Sequence, residues 1–477
     1  MNAGKINPSI YLILALCIIS IVLTLLFSSN LGILYSASLL IIFICIVFFS
    51  LTYPSIFSLQ NFCLVSFLIH FQFIFLIIPS LILTNEIKSI FAARATLAVG
   101  LSVFLESLAA IITNHAQSKN VFDWVVRSID KKHVKSMRLL LAILIVISAI
   151  TMIYFIIKTP EVPLFRLFSI DASIDIITIR EESFKLLNIP LIFKYLIEWV
   201  RCIFWPFLTG VMFSRLLIKK SKKRIFAFMV FFVIGIIITG FTTEKAIVTN
   251  FILINILIYI FIKQKKLKAR TILLGGIISL SFPLLIFYIR AVSSKIGYPL
   301  QFAFYSLFNR IFMVPARVAM VHYMVFPDYI NFLYGSSMNY ISYFLGKELF
   351  PLSNYLYLYF YPWGAADNPS GFLNATYTSE MWANFGWFGI MLSAIFLGFF
   401  LHSVNLWVWK LKKTPEIISI YSVMLASVLN LISGNVTVFL LSKGFIILYF
   451  FTLLGNMTLI KTRKDNSQII NRSLKCL

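Results

Sequence analysis

The stretch Tyr377–Met391 reads YTSEMWANFGWFGIM. From there to about residue 409 almost every position is apolar, so a carboxylate, Glu380, and an amide, Asn384, stand at the mouth of what reads as a membrane helix. Asn384 lies one helical turn after Glu380, on the same face. Ala383, Gly386 and Gly389 are small, which lets another element approach that face closely. Two readings of Glu380 compete. An acid in the first turn complements the helix dipole; the same acid can belong to a reaction centre. A strict capping box is absent, because Tyr377 rather than Ser or Thr lies three residues before Glu380.

Composition sets the class. The chain has 477 residues, 60% hydrophobic and only 12% charged, with mean hydropathy +0.94. A soluble globular chain carries about 25% charged residues. So much apolar surface needs lipid around it, and the expected fold is all-α and polytopic. The net charge of +24 comes with no Gly-rich phosphate loop and no basic–aromatic nucleic-acid motif, so nucleic acid is not an expected partner. The five cysteines, at 17, 45, 63, 202 and 476, show no CxxC spacing and read as small apolar residues.

A spanning helix needs about 20 mostly apolar residues. The chain holds about twelve such runs: 9–27, 31–51, 62–84, 95–114, 139–157, 196–218, 225–241, 247–262, 271–289, 385–409, 417–433 and 437–460. The first lacks an A-x-A-like cleavage site and reads as a membrane helix. Basic clusters fall at 115–138, 219–224 (KKSKKR), 263–270 (KQKKLKAR), 410–413 (KLKK) and 461–475. They come after expected helices 4, 6, 8, 10 and 12. All therefore lie on one side, which the positive-inside bias makes cytoplasmic, with both termini inside.

This divides the chain into helices 1–9 over 1–289, a large outer loop over 290–384, and helices 10–12 with a cytoplasmic tail over 385–477. The loop holds twelve of the 21 tyrosines and six of the 15 prolines. That is unlike a Gly/Ser-rich or charged linker, so it is expected to be ordered on the outer face.

Several residues there and nearby have chemistry to offer. Arg310 and Arg317 lie seven residues apart in an apolar segment, nearly two turns, so an unbroken helix would put both on one face. Pro315 lies between them as a candidate bend. With Arg290, at the end of the ninth span, they read either as a guanidinium clamp on phosphate oxygens or as snorkelling interfacial side chains. Lys245, after Glu244 in a short outer turn, is a further cation or a solvated turn charge. Glu198 and Arg201 are spaced to pair within a helix.

Tyr355, Tyr357, Tyr359 and Tyr361 alternate with Leu356, Leu358 and Phe360. Period 2 predicts an extended segment with a face of phenols, suited to a sugar or to a membrane-interface belt. His322 is the one histidine of the loop, structural or a second candidate base. No HExxH, D-x-D or His/Cys cluster marks a metal site.

NATYTSEMWANFGWFGI (374–390), an acid–aromatic–NFG-x-x-G entry into a helix after a large outer loop, resembles the Wzy-type O-antigen polymerases, or oligosaccharide repeat unit polymerases. The resemblance in topology covers most of the chain; in sequence it centres on 300–400. It implies transfer of a glycan from undecaprenyl diphosphate to a hydroxyl of a second lipid-linked repeat unit, at the outer leaflet of a bacterial inner membrane, making O-antigen or capsule.

Under that resemblance Glu380 is the first choice of general base and His322 the second. Arg290, Arg310, Arg317 and Lys245 hold the diphosphate, and Tyr355, Tyr357, Tyr359 and Asn384 contact sugar. No cofactor or metal is expected. Partners are the lipid-linked oligosaccharide, membrane lipids and, as a candidate, a chain-length regulator. An O-antigen ligase and a flippase of lipid-linked oligosaccharides are the alternatives; a flippase should carry its charges inside helices around a central cavity.

Overall fold

The computed structural model describes residues 63–116, 124, 127–130, 135–159, 162–166, 190–264, 269–293, 295–362 and 371–453, together with Gly32. The described residues form helices and connecting segments. Eight helices are long and apolar enough to cross a membrane: α1 Leu64–Ile87, α2 Ile90–Asn114, α3 Met137–Lys158, α4 Ile192–Ile218, α5 Lys222–Gly240, α6 Lys245–Lys263, α7 Leu273–Val292 and, after the loop region, Tyr377–Lys410. The protein is thus an all-helical polytopic membrane protein. The expected spans at 9–27 and 31–51 lie outside the described residues apart from Gly32.

Loop helices α8 Pro299–Phe308, α9 Val314–Val325, α10 Asn339–Phe344 and α11 Leu352–Phe360 precede α12, Tyr377–Lys410. A shorter apolar helix comes next, α13 Pro415–Leu431, and the last described helix covers 445–453.

Apolar side chains divide between core and lipid-type faces. Phe226, Met229, Val233 and Ile237 run exposed along α5, and Leu139, Val146, Ile150 and Ile157 along α3. No polar stripe alternates with them, as water would require. α13 is the opposite case, buried along its length from Pro415 to Val428. Around it, α1, α4, α6 and α12 share one large apolar core that includes Phe207, Phe251, Leu401, Tyr421 and Met424.

The basic segments gather at one end of the bundle. Trp124 Nε1 donates to Leu411 O at 3.2 Å, and Arg127 donates to Trp409 O at 3.1 Å. Lys413 Nζ donates to Phe261 O at 3.0 Å, and Arg215 pairs with Glu416 at 3.0 Å. Described residues in or beside four of the five basic clusters thus share one end of the bundle. The opposite end carries the loop helices and the ion pair Arg94–Asp328 at 3.9 Å.

The opening stretch does not form one straight span. Gly386 has φ 60° and ψ −146° within α12, a conformation open to glycine and not to other residues. In a continuous helix Met381 and Gly389 would be about 12 Å apart. Here a Cβ added at Gly389 would lie 2.6 Å from the Met381 carbonyl oxygen. Tyr377 and Gly398 would be about 31 Å apart, yet Tyr377 bonds the side chain of Glu106, whose backbone lies against Gly398. Residues 377–385 are therefore a re-entrant leg folded back along 387–410. Gly386 makes the turn, and Gly389 and Gly398 permit the close approaches.

The turn frees backbone groups that a spanning helix would satisfy internally. The chain ahead of α10 takes them up: Leu333 N donates to Ala383 O at 3.0 Å and Tyr334 N to Asn384 O at 2.9 Å. Gly335 N donates to Asn384 Oδ1 at 3.0 Å. Irregular backbone among membrane helices is tolerated only when protein covers it in this way.

Candidate functional site

The re-entrant leg begins at Thr376, whose hydroxyl accepts from Ser379 N and caps the helix. Glu380 lies in the first turn of that helix, as the sequence suggested, but it is not exposed there as topology predicted. It is 3% exposed. The apolar run predicted a span from 385 and set Glu380 at the outer surface; the fold-back at Gly386 draws 377–384 into the bundle instead. Glu380 Oε1 accepts from Asn435 Nδ2 at 2.8 Å, while Oε2 is buried without a hydrogen-bond partner. One turn on, Asn384 Nδ2 donates to Ser337 Oγ at 2.7 Å and to Glu380 O at 2.9 Å.

Asn435 and Ser337 are also wall residues of a cleft of about 50 Å³, completed by Tyr195, Tyr340, Thr437 and Ser442. The Tyr340 hydroxyl donates to the Tyr195 hydroxyl at 2.8 Å, and this bond pushes Tyr340 up to about 12. Tyr195 stacks on Trp199 with ring centroids 6.0 Å apart. Asn435 Oδ1 accepts from Val438 N at 2.6 Å and from the Thr437 hydroxyl at 2.9 Å. The cleft is built from three distant segments: the start of α4, the chain before and within α10, and the segment after α13.

Beside the cleft lies a charged cluster. Glu198 pairs with Arg201 at 2.7 Å, as the i, i+3 spacing predicted, and with Lys443 at 2.9 Å; Arg201 also faces Glu244 at 3.6 Å. Two acids meet two bases, so the cluster is balanced within itself. Arg201 is fully buried, and the removal of one partner would leave an uncompensated charge.

The leg is tied to the core by a second carboxyl. Glu106 of α2 is fully buried. Its Oε1 accepts from Gln72 Nε2 at 3.0 Å and from the Tyr377 hydroxyl. Sequence reasoning passed over Glu106, although a lone acid within an apolar span is itself a signal. It also missed Asn435, Ser337, Tyr195 and Tyr340, which become neighbours only through the tertiary fold.

The remaining predicted site residues lie elsewhere. His322 is fully buried on α9, outside the eight apolar spans. Its Nδ1 bonds Val318 O at 2.7 Å, and burial pushes the imidazole down to about 4. Arg290 is exposed near the end of α7, and Arg310 and Arg317 are exposed on the segment from α8 to α9. Arg310 itself belongs to a π-turn over Asn309–Met313, ahead of Arg317. The extra residue of a π-turn rotates the next stretch of helix by about 100°, so the seven-residue spacing does not place the two in line. Lys245 begins α6 with its Nζ 3.7 Å from the centre of the Phe287 ring.

The tyrosine run is helical and not extended. Leu352–Phe360 forms α11, and Tyr355 stacks on Tyr359, as Tyr357 does on Tyr361. Apolar and aromatic residues alternate there, but both types suit an apolar surface, so the alternation carried no information about facing. Of the predicted site residues, Glu380 and Asn384 are the two whose hydrogen bonds reach the cleft wall. Among the described residues no cluster of three or more His, Cys, Asp or Glu has the makings of a metal site.

No family model matches the sequence, and neither a curated protein nor a solved structure matches it.

Proposed function

We propose that the protein is a polysaccharide polymerase that joins undecaprenyl-diphosphate-linked oligosaccharide repeat units at the outer leaflet of a bacterial inner membrane. The observation that carries this reading is a buried carboxyl group, that of Glu380, one hydrogen bond behind a polar cleft at the end of the bundle opposite the basic clusters. The positive-inside bias makes that end the outer one, and the resemblance of 374–390 to Wzy-type polymerases points to the same chemistry.

In this reaction a hydroxyl of the acceptor repeat unit attacks the anomeric carbon of the donor's reducing-end sugar. The new C–O bond forms as the bond from that carbon to the diphosphate oxygen breaks, and the electron pair leaves with undecaprenyl diphosphate. Glu380 takes the hydroxyl proton as general base, which requires hydrogen-bond reach. Oε1 stays on the Asn435 amide, and Oε2, which has no hydrogen-bond partner, is the oxygen left for that proton. Negative charge grows on the leaving diphosphate, and fixed guanidinium groups stabilise it. The exposed Arg290, Arg310 and Arg317 are the candidates for that role, ahead of Lys245, which lies over the Phe287 ring.

Deletion of the gene in its host, with sizing of surface and lipid-linked glycans, tests the proposal. Single repeat units with loss of the long-chain ladder are expected. Long chains still made but retained on the lipid carrier would mean a ligase. Repeat units trapped inside would mean a flippase.

A further inference from the structure

The cleft differs from the surfaces around it in having no charge of its own. Its wall is three hydroxyls or amides from Ser337, Asn435 and Thr437, the Ser442 hydroxyl, and two phenols, with Val438 as its apolar patch. The nearest charged cluster is already neutralised as Glu198–Lys443 and Arg201 with Glu198 and Glu244. A diphosphate entering here would meet no uncompensated cation. A neutral ring bearing hydroxyls would meet a donor or acceptor on nearly every side and a flat phenol surface for its C–H face.

The wall is also held in place. Glu380 fixes the Asn435 amide, and Asn384 fixes the Ser337 hydroxyl. Both come from the re-entrant leg, so the leg that carries the base also sets two of the cleft's hydrogen-bonding groups. Side chains locked by such supporting bonds are what a specific polar site requires. The open cleft, with a volume of about 50 Å³, suits the hydroxyl edge of one ring and not a whole oligosaccharide.

We propose that this cleft is a carbohydrate subsite that takes the neutral, non-reducing-end sugar of the acceptor repeat unit by its hydroxyl edge. The proposal rests on the polymerase reading for the word acceptor. It assigns sugar recognition to Tyr195, Tyr340, Ser337, Asn435 and Thr437 and not to the tyrosines of α11. The diphosphates of both substrates bind outside the cleft.

The test uses the full-length protein in detergent micelles and, as probe, the lipid-free oligosaccharide repeat released by hydrolysis from the host's own surface polysaccharide. Binding is read by saturation-transfer NMR and by quenching of tryptophan fluorescence, since Trp199 stacks on Tyr195. The wild type should bind. Thr437→Val and Tyr340→Phe, each the loss of one hydroxyl, should weaken binding about tenfold. Val438→Trp should abolish it, and Tyr357→Phe on α11 should leave it unchanged. Pyrophosphate should not compete.

No binding by the wild type, equal binding by Thr437→Val and Tyr340→Phe, or competition by pyrophosphate would each overturn the subsite. None of these readouts depends on catalysis. Oligosaccharide binding at the cleft in a protein whose deletion leaves the ladder intact would instead remove the polymerase reading and keep the subsite.

Discussion

Two buried carboxyls flank the re-entrant leg, and their surroundings assign them different work. Glu380 has one oxygen on Asn435 and one without a partner, and it adjoins the cleft. Glu106 has an oxygen shared by Tyr377 and Gln72 within the core. Glu380→Gln keeps the shape and removes the base, so chain extension should fall by at least about a hundredfold while membrane levels hold. Undiminished ladders from that variant would return Glu380 to a structural role. Glu106→Leu removes the acceptor that the Tyr377 hydroxyl and the Gln72 amide share and leaves those two the longer bond between them at 3.5 Å, a loss of about 1–3 kcal/mol. Its melting temperature in detergent should drop, and Glu106→Gln should recover most of the loss.

His322 gives a pH test. Its imidazole lies near 4 in the folded protein and at the ordinary 6.5 when unfolded. Between those values the unfolded chain binds more protons, so stability is full above 6.5 and declines as pH falls toward 4. The decline amounts to about 3 kcal/mol, and His322→Phe should flatten that part of the pH–stability profile.

At the scale of the element, the hairpin of α12 rests on two glycines with separate jobs. Gly386→Ala forces an L residue into φ 60°, ψ −146°, and its Cβ meets the Phe332 ring at 3.0 Å. Strain of that kind costs about 1–3 kcal/mol. Gly389→Ala places a Cβ 2.6 Å from Met381 O and drives the legs apart. Both should lower thermal stability and chain length together. Gly276→Ala on α7, where nothing lies within 4 Å, should change neither.

The sequence already showed where the described spans run, because apolar length and basic loops report lipid exposure directly. The fold-back was hidden, because a re-entrant leg inside a bundle has the same apolar composition as a span. Glycines at 386 and 389 marked close packing but not its direction. The helical state of 352–360 was hidden for a related reason: Tyr and Leu are interchangeable on an interfacial surface. Asn384 and Glu380 were legible as a shared face. Their partners Ser337 and Asn435 lie 47 and 55 residues away, beyond any periodicity.

At the scale of the molecule, the described residues beside the basic clusters share one end. Basic segments pack together around Trp124, Lys413 and Glu416, while the cleft, Glu380 and the loop helices occupy the other end. Single cysteines placed at Ser337 or Tyr340 should therefore react with an impermeant maleimide added outside intact spheroplasts, and one at Ser221 should react only after lysis. The reverse pattern would invert the topology and remove lipid-linked substrate of the outer leaflet from reach of the cleft.

The central claim is that this outer end lengthens lipid-linked glycans. Reconstitution decides it most directly: purified protein in vesicles with undecaprenyl-diphosphate-linked single repeat units as the sole substrate, products sized by mass spectrometry. Oligomers of two or more repeats, with undecaprenyl diphosphate released in step with each new linkage, are expected. Repeat units that change leaflet without growing, or remain single with no diphosphate released, would contradict the account.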